Sequence, residues 1–156
     1  MDYPEALPKG TRKVKGETHK IEFRDVSFAY PGTEKKILDH INITIEPGEH
    51  LSIVGLNGAG KTTFIKLLCR LYDPTGGVIL LDGVDIREYD YADYMSQFAP
   101  VFQDFKLFCV SLKENITLQE KDDTDLSELL KLVELDGFAG KLEKGTDTCI
   151  YKFFDE

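Results

Sequence analysis

Regular alternation of apolar and polar positions begins at Ile21. Ile21 and Phe23 share one parity, whereas Val26, Phe28 and Tyr30 share the other. Side chains on a strand alternate between faces, so this phase change predicts a strand with a bulge near Arg24 and Asp25. Pro31-Gly32 marks a turn. Ile41, Ile43 and Ile45 then alternate with Asn42, Thr44 and Glu46 up to Pro47-Gly48, the pattern of a half-buried strand. Leu51, Ser52, Ile53 and Val54 form a continuous run that reads as a buried strand. Phe64, Ile65, Leu67, Leu68 and Leu71 have helix spacing, which Asp73-Pro74-Thr75-Gly76-Gly77 interrupts. Residues 78–81 read as a strand closed by Asp82-Gly83, and residues 98–102 as a further buried strand. The polar, Tyr-rich stretch between them fits a short helix. Leu126, Leu129, Leu130 and Val133 share one helix face. Asp125 with Glu128 predicts a capping box for that helix, and Gly137 its C-terminal stop. Residues 1–20, broken by Pro4, Pro8, Gly10 and Gly16, lack apolar periodicity and read as a linker.

The chemistry concentrates between the third strand and the first helix. Gly55-Leu56-Asn57-Gly58-Ala59-Gly60-Lys61-Thr62 fits G-x-x-x-x-G-K-[ST], and strand–loop–helix is the context such a loop requires. Its glycines allow backbone N–H groups to approach phosphate oxygens where a Cβ would obstruct. The free N–H groups and the dipole of the helix start, which includes Thr63, favour negative charge. Lys61 is expected to reach the β- and γ-phosphates and the Thr62 hydroxyl to bind Mg²⁺. Nucleotide binding follows.

Composition narrows the partners. The 156 residues suffice for one domain with a core, at 42% hydrophobic and 30% charged. The net charge of −9 divides into +2 for residues 1–20 and −11 for the rest. That balance argues against nucleic acid as a partner. Cys69, Cys109 and Cys149 are far apart without a C-x-x-C, which suits reduced thiols. No apolar run approaches the roughly 18 residues that a membrane span needs. If the protein serves a membrane, another segment or subunit makes the crossing.

Further motifs fall at matching distances. Phe28-Ala29-Tyr30-Pro31-Gly32 precedes the loop, and Pro47-Gly48-Glu49 precedes its strand. Tyr72-Asp73-Pro74-Thr75-Gly76-Gly77, Leu81-Asp82-Gly83-Val84-Asp85-Ile86 and Val101-Phe102-Gln103-Asp104 follow in order. Over about residues 21–150 this set resembles the nucleotide-binding domain of ATP-binding-cassette (ABC) transporters. The resemblance implies an α/β fold: a P-loop core with a parallel sheet, a small antiparallel β-subdomain and the start of a helical subdomain. The linker would occupy residues 1–20 and the N-terminal part of the ATPase domain residues 21–156.

The resemblance also assigns roles. Tyr30 matches the aromatic that stacks on adenine, which offset ring stacking explains. Gln103 matches the glutamine that reaches Mg²⁺ and the attacking water. Ile37 either flanks the base or belongs to the core. The implied ligands are ATP and Mg²⁺, held by Tyr30, residues 55–63 and Gln103. Lys61 and Gln103 carry the catalytic roles. The implied partners are a second such domain, head to tail, and a transmembrane domain, at the cytoplasmic face of a membrane. Pro4-Glu5-Ala6-Leu7-Pro8 resembles the linker after an exporter's membrane domain, and residues 107–116 the stretch that meets its coupling helices. Both favour an exporter with the transmembrane domain on the same polypeptide.

The sequence departs from the pattern after Gln103. A signature motif, a Walker B strand with its catalytic Glu, and a switch His do not occur in order. Phe153-Phe154-Asp155-Glu156 imitates Walker B, but Lys152 interrupts the apolar run. The expectation is a domain truncated before the signature motif: an ATPase as part of the intact protein, inactive as this chain alone. A soluble ABC ATPase and a nucleotide-sensing P-loop module without hydrolysis are the alternatives. A GTPase is disfavoured, since no Asn-Lys-x-Asp occurs.

Overall fold

The computed structural model of the chain describes residues 10–103, 105–118 and 125–150. They fall into two units, dividing after Pro100. The exporter-like segment at residues 4–8 and the Walker B-like terminus lie outside the described residues.

The first unit is built on a sheet of β1 (Ile21–Ala29), β2 (Lys36–Ile45), β3 (Gly76–Leu81) and β4 (Val84–Asp85) in the order β2-β1-β3-β4. Every pairing is antiparallel. The expected bulge is present: Phe23 pairs with Ile43 but Val26 with Ile41, and the register against β3 shifts between Arg24 and Ser27. Asp25 takes φ 55° there, and its N–H donates to Asn42 Oδ1 at 2.9 Å. The extra residue is what lets Phe23 and Val26, of opposite parity, both enter the core. Gly77 of β3 lies against the bulge so closely that a Cβ would stand 2.3 Å from the Asp25 carbonyl oxygen. Asp82 and Gly83, at φ 50° and 78°, join β3 to β4 in a two-residue turn of the kind that Asp-Gly favours.

Helix α1 (Lys61–Leu68) buries Phe64 and Leu67 in the same core as β1 and β3, with Phe64 stacked on Phe23 at 4.4 Å between ring centroids. The expected short helix appears as a 3-10 turn (Ile86–Glu88) followed by α2 (Tyr91–Met95). Asp90 caps α2, accepting from the Asp93 N–H. Part of the stretch read as a linker is held to this unit. Arg12 exchanges backbone hydrogen bonds with Glu88 and Asp90, and the Val14 N–H donates to the Asp93 carboxylate at 2.6 Å.

Two expected strands do not form. Residues 51–54 are exposed, Val54 at 90%, and residues 98–102 are likewise without strand structure. A strand exists through its ladder of hydrogen bonds, and among the described residues neither run has a neighbouring strand to supply one. The sheet present here is therefore the antiparallel one.

The second unit contains α3 (Leu112–Thr117), α4 (Ser127–Leu132) and α5 (Asp136–Ala139). Leu112, Leu126, Leu130 and Ala139 form its core. Of the apolar face assigned to α4, Leu126 and Leu130 are buried, whereas Leu129 and Val133 are exposed. The Asp125–Glu128 capping box is not formed. The Asp125 carboxylate instead accepts from the Ser127 N–H and hydroxyl, and the cap position of α4 falls to Leu126, which has no side-chain cap bond. Gly137 lies inside α5, and the chain leaves α4 through Glu134 at φ 59°. The capping box that does form is at α3, where Ser111 and Glu114 each bond the other's backbone N–H.

Candidate nucleotide-binding site

The loop before α1 turns at its centre, the Ala59 N–H donating to the Leu56 carbonyl at 3.1 Å. Gly60 then takes φ 89° and accepts the first helical hydrogen bond, from Phe64 at 2.8 Å. The N–H groups of Lys61, Thr62 and Thr63 precede that bond and have no acceptor within the helix. No side chain caps them. They form the positive end of α1, facing the loop. The Lys61 ammonium lies across the same loop, donating to the carbonyl oxygens of Gly55 and Leu56 at 2.7 and 2.9 Å. A fixed cation and three N–H groups without an acceptor in the helix favour, at one turn, an anion of several charges.

Tyr30 stands beside this turn at the end of β1. Its hydroxyl and Thr63 Oγ1 are hydrogen-bonded at 3.1 Å. Its ring meets Phe28 and Tyr72 edge-on, with centroids 5.0 and 5.3 Å away. The Lys66 ammonium sits 5.9 Å from the ring centroid. Tyr30, Lys61, Thr62 and Thr63 are thus gathered on one helical turn and its neighbouring strand end. Thr62 is exposed and Thr63 buried. Leu56, Asn57 and Gly58 are exposed on the loop. Ile37 packs against the loop: its carbonyl oxygen would lie 3.0 Å from a Cβ on Gly60. Gln103 is exposed on a turn in the second unit.

A groove of about 340 Å³ opens between β2 and residues 51–54, with Gly60 and Lys61 at its margin. Leu38, Ile41, Ile43 and Phe64 make it apolar, so it does not suit phosphate. The contacts of Thr63, Lys66 and Tyr72 with Tyr30 were not singled out from sequence. Thr63 and Lys66 are three residues apart, and that spacing places them on one helix face.

The chain belongs to the ABC transporter family, as its ATP-binding domain; the family's model matches residues 38–148. It is 41% identical to the subtilin transport ATP-binding protein SpaT of Bacillus subtilis, a match that covers 100% of this chain and 26% of that protein. It is 39% identical to the ATP-dependent lipid A-core flippase of Paraburkholderia xenovorans, over 96% of this chain and 26% of the flippase. Among solved structures it is similar to a bacterial Atm1-family ABC exporter with ATP bound. That match has a TM-score of 0.78 and 29% identity, and covers 95% of this chain and 25% of the exporter's. The fold is accordingly of the α/β ABC ATPase kind. The chain spans about a quarter of the length of the curated relatives it matches. Among the described residues no helix is long and apolar enough to cross a membrane.

Proposed function

We propose that this domain binds Mg-ATP at the loop of residues 55–63, and that ATP binding and hydrolysis in the full-length protein drive solute export across a membrane. The observation that carries the reading is the convergence of the Lys61 ammonium and the uncapped helix start of α1 beside the Tyr30 ring. Lys61 exchanges the carbonyls of Gly55 and Leu56 for phosphate oxygens, and the N–H groups of residues 61–63 take the remaining charge. The Tyr30 ring face receives the base. The exposed Thr62 hydroxyl fits a magnesium site, because Mg²⁺ takes one or two protein oxygens and fills its other positions with phosphate and water. Held there, Mg²⁺ would supply charge neutralisation to the phosphates. Gln103, in the second unit, keeps the role that its motif implies.

The finer architecture belongs to the same proposal. Residues 51–54 and 98–102 become strands of a parallel sheet where neighbouring strands of the domain lie beside them. The exposure of Val54 at 90% and Val101 at 88% supports that reading. The linker occupies residues 1–20 and the ATPase domain begins at Ile21. A second such domain, bound head to tail, completes the ATP site at the cytoplasmic face. The transmembrane domain lies on the same polypeptide, and the names of the flippase and exporter relatives support this. The net charge of −9 leaves nucleic acid without a role.

Calorimetric titration with ATP tests the site. Tyr30→Ala is expected to weaken binding by about 1–3 kcal/mol, the scale of base stacking on an aromatic platform. A folded Tyr30→Ala protein that binds ATP as the parent does would leave Tyr30 a packing residue only.

A further inference from the structure

Tyr30 is held by more than its own strand. Phe28 and Tyr72 bracket the ring at interplanar angles of 80° and 89°, which fixes its plane. The hydroxyl is tied to Thr63, whose side chain is buried in the first turn of α1. Thr63 directly follows Thr62 and stands two residues after Lys61, on the turn whose N–H groups face the phosphate loop. The Lys66 ammonium, one turn further on, lies 5.9 Å from the ring centroid, within cation–π range.

From this geometry we infer that Thr63 is a positioning residue: its hydroxyl ties the Tyr30 platform to the phosphate-binding turn, so that base and phosphates are read by one rigid unit. The inference rests on the ATP site proposed above. A hydrogen bond from the ring's far end restrains the swing of the whole side chain about χ1. It also fixes the distance between the stacking face and the helix start. A nucleotide that spans both then gains from a platform set in advance, because ordering costs are met before binding. A ligand with phosphates and no base gains nothing from the link. If the bond merely satisfies a buried hydroxyl, its loss lowers stability without separating these two ligands.

The full chain and its Tyr30→Phe, Thr63→Val, Thr63→Ser and Tyr30→Phe/Thr63→Val variants, each checked for folding by urea denaturation, are titrated calorimetrically with ATP and with inorganic tripolyphosphate in excess Mg²⁺. Tyr30→Phe and Thr63→Val are each expected to weaken ATP about 3- to 10-fold, the equivalent of one neutral hydrogen bond. The double variant should lose no more than either single one, as two ends of one contact do. Thr63→Ser, which keeps the hydroxyl, should stay within about two-fold of the parent, and tripolyphosphate should bind all variants alike. Losses that multiply in the double variant, equal weakening of tripolyphosphate by Thr63→Val, or unchanged ATP affinity would each overturn the link. A parent that binds neither ligand would overturn the ATP site itself.

Discussion

Gly60 and Leu38 meet so closely that a methyl group on Gly60 would stand 2.9 Å from Leu38 Cδ2 and 3.0 Å from the Ile37 carbonyl oxygen. Gly60 is buried and left-handed at φ 89°, so strand β2 and the phosphate loop are joined at a point that admits no side chain. Gly60→Ala combines backbone strain with a forced displacement of Leu38 or the Ile37 peptide. It is expected to lower unfolding free energy by about 1–3 kcal/mol. In urea denaturation the midpoint should fall while the slope is retained. An unchanged midpoint would mean that the loop adjusts freely.

Lys61 makes its two hydrogen bonds to carbonyls of an exposed loop, so removing it leaves nothing buried and unpaired. Lys61→Ala should therefore leave stability nearly untouched while ATP affinity falls by about 1.5–3 kcal/mol, the scale of a charged hydrogen bond. Calorimetry beside urea denaturation separates the two quantities. Equal affinities in the parent and the variant would remove Lys61 from the site.

The local chemistry of the site was legible because it depends on short spacings. Residues 55–62 announced a loop and helix start, and the parity change between Phe23 and Val26 announced a bulge; both are present. What was not legible depends on partners distant in sequence. Residues 51–54 carry strand composition, yet a strand is a relation between two segments. The bond from Tyr30 to Thr63 spans 33 positions and leaves no periodic trace. At α4 the local rule misfired for a different reason: Asp125 finds Ser127 two residues on, a tighter local bond that competes with the cap. Ser111 and Glu114 had the spacing of a capping box and passed unnoticed, although that signal needed only the sequence.

That capping box supplies a test of the second unit. Ser111 accepts from the Glu114 N–H at 3.1 Å, and the Glu114 carboxylate accepts from the Ser111 N–H at 2.8 Å. Ser111→Ala should destabilise the unit by about 1 kcal/mol, whereas Ser111→Gly should cost only about a few tenths more than nothing, since glycine suits the cap backbone. Hydrogen exchange at the Glu114 amide should accelerate in Ser111→Ala. Matching exchange rates in the alanine variant and the parent would show that the helix start is held by other contacts.

The hairpin between β3 and β4 carries a pH dependence of definite sign. Asp82 accepts from the Lys20 N–H at 2.8 Å and from His19 Nδ1 at 2.7 Å, while its own N–H donates to the Lys20 carbonyl. Partial burial pushes its carboxyl up, but the His19 and Lys20 hydrogen bonds outweigh this and hold it below its ordinary 3.8. A carboxyl depressed by folding stabilises the native state in full above its unfolded value, and that contribution disappears as pH falls through the folded value. Asp82→Asn keeps a side chain that tolerates the residue's φ of 50° and removes the titrating group. The variant should therefore be less stable than the parent at pH 7, with the difference closing as pH is lowered below about 4. Urea denaturation at a series of pH values reads that difference directly, since the other carboxylates contribute equally to both proteins. A difference that stays constant between pH 7 and pH 3 would assign the loss to the turn's geometry and not to the ionised Asp82.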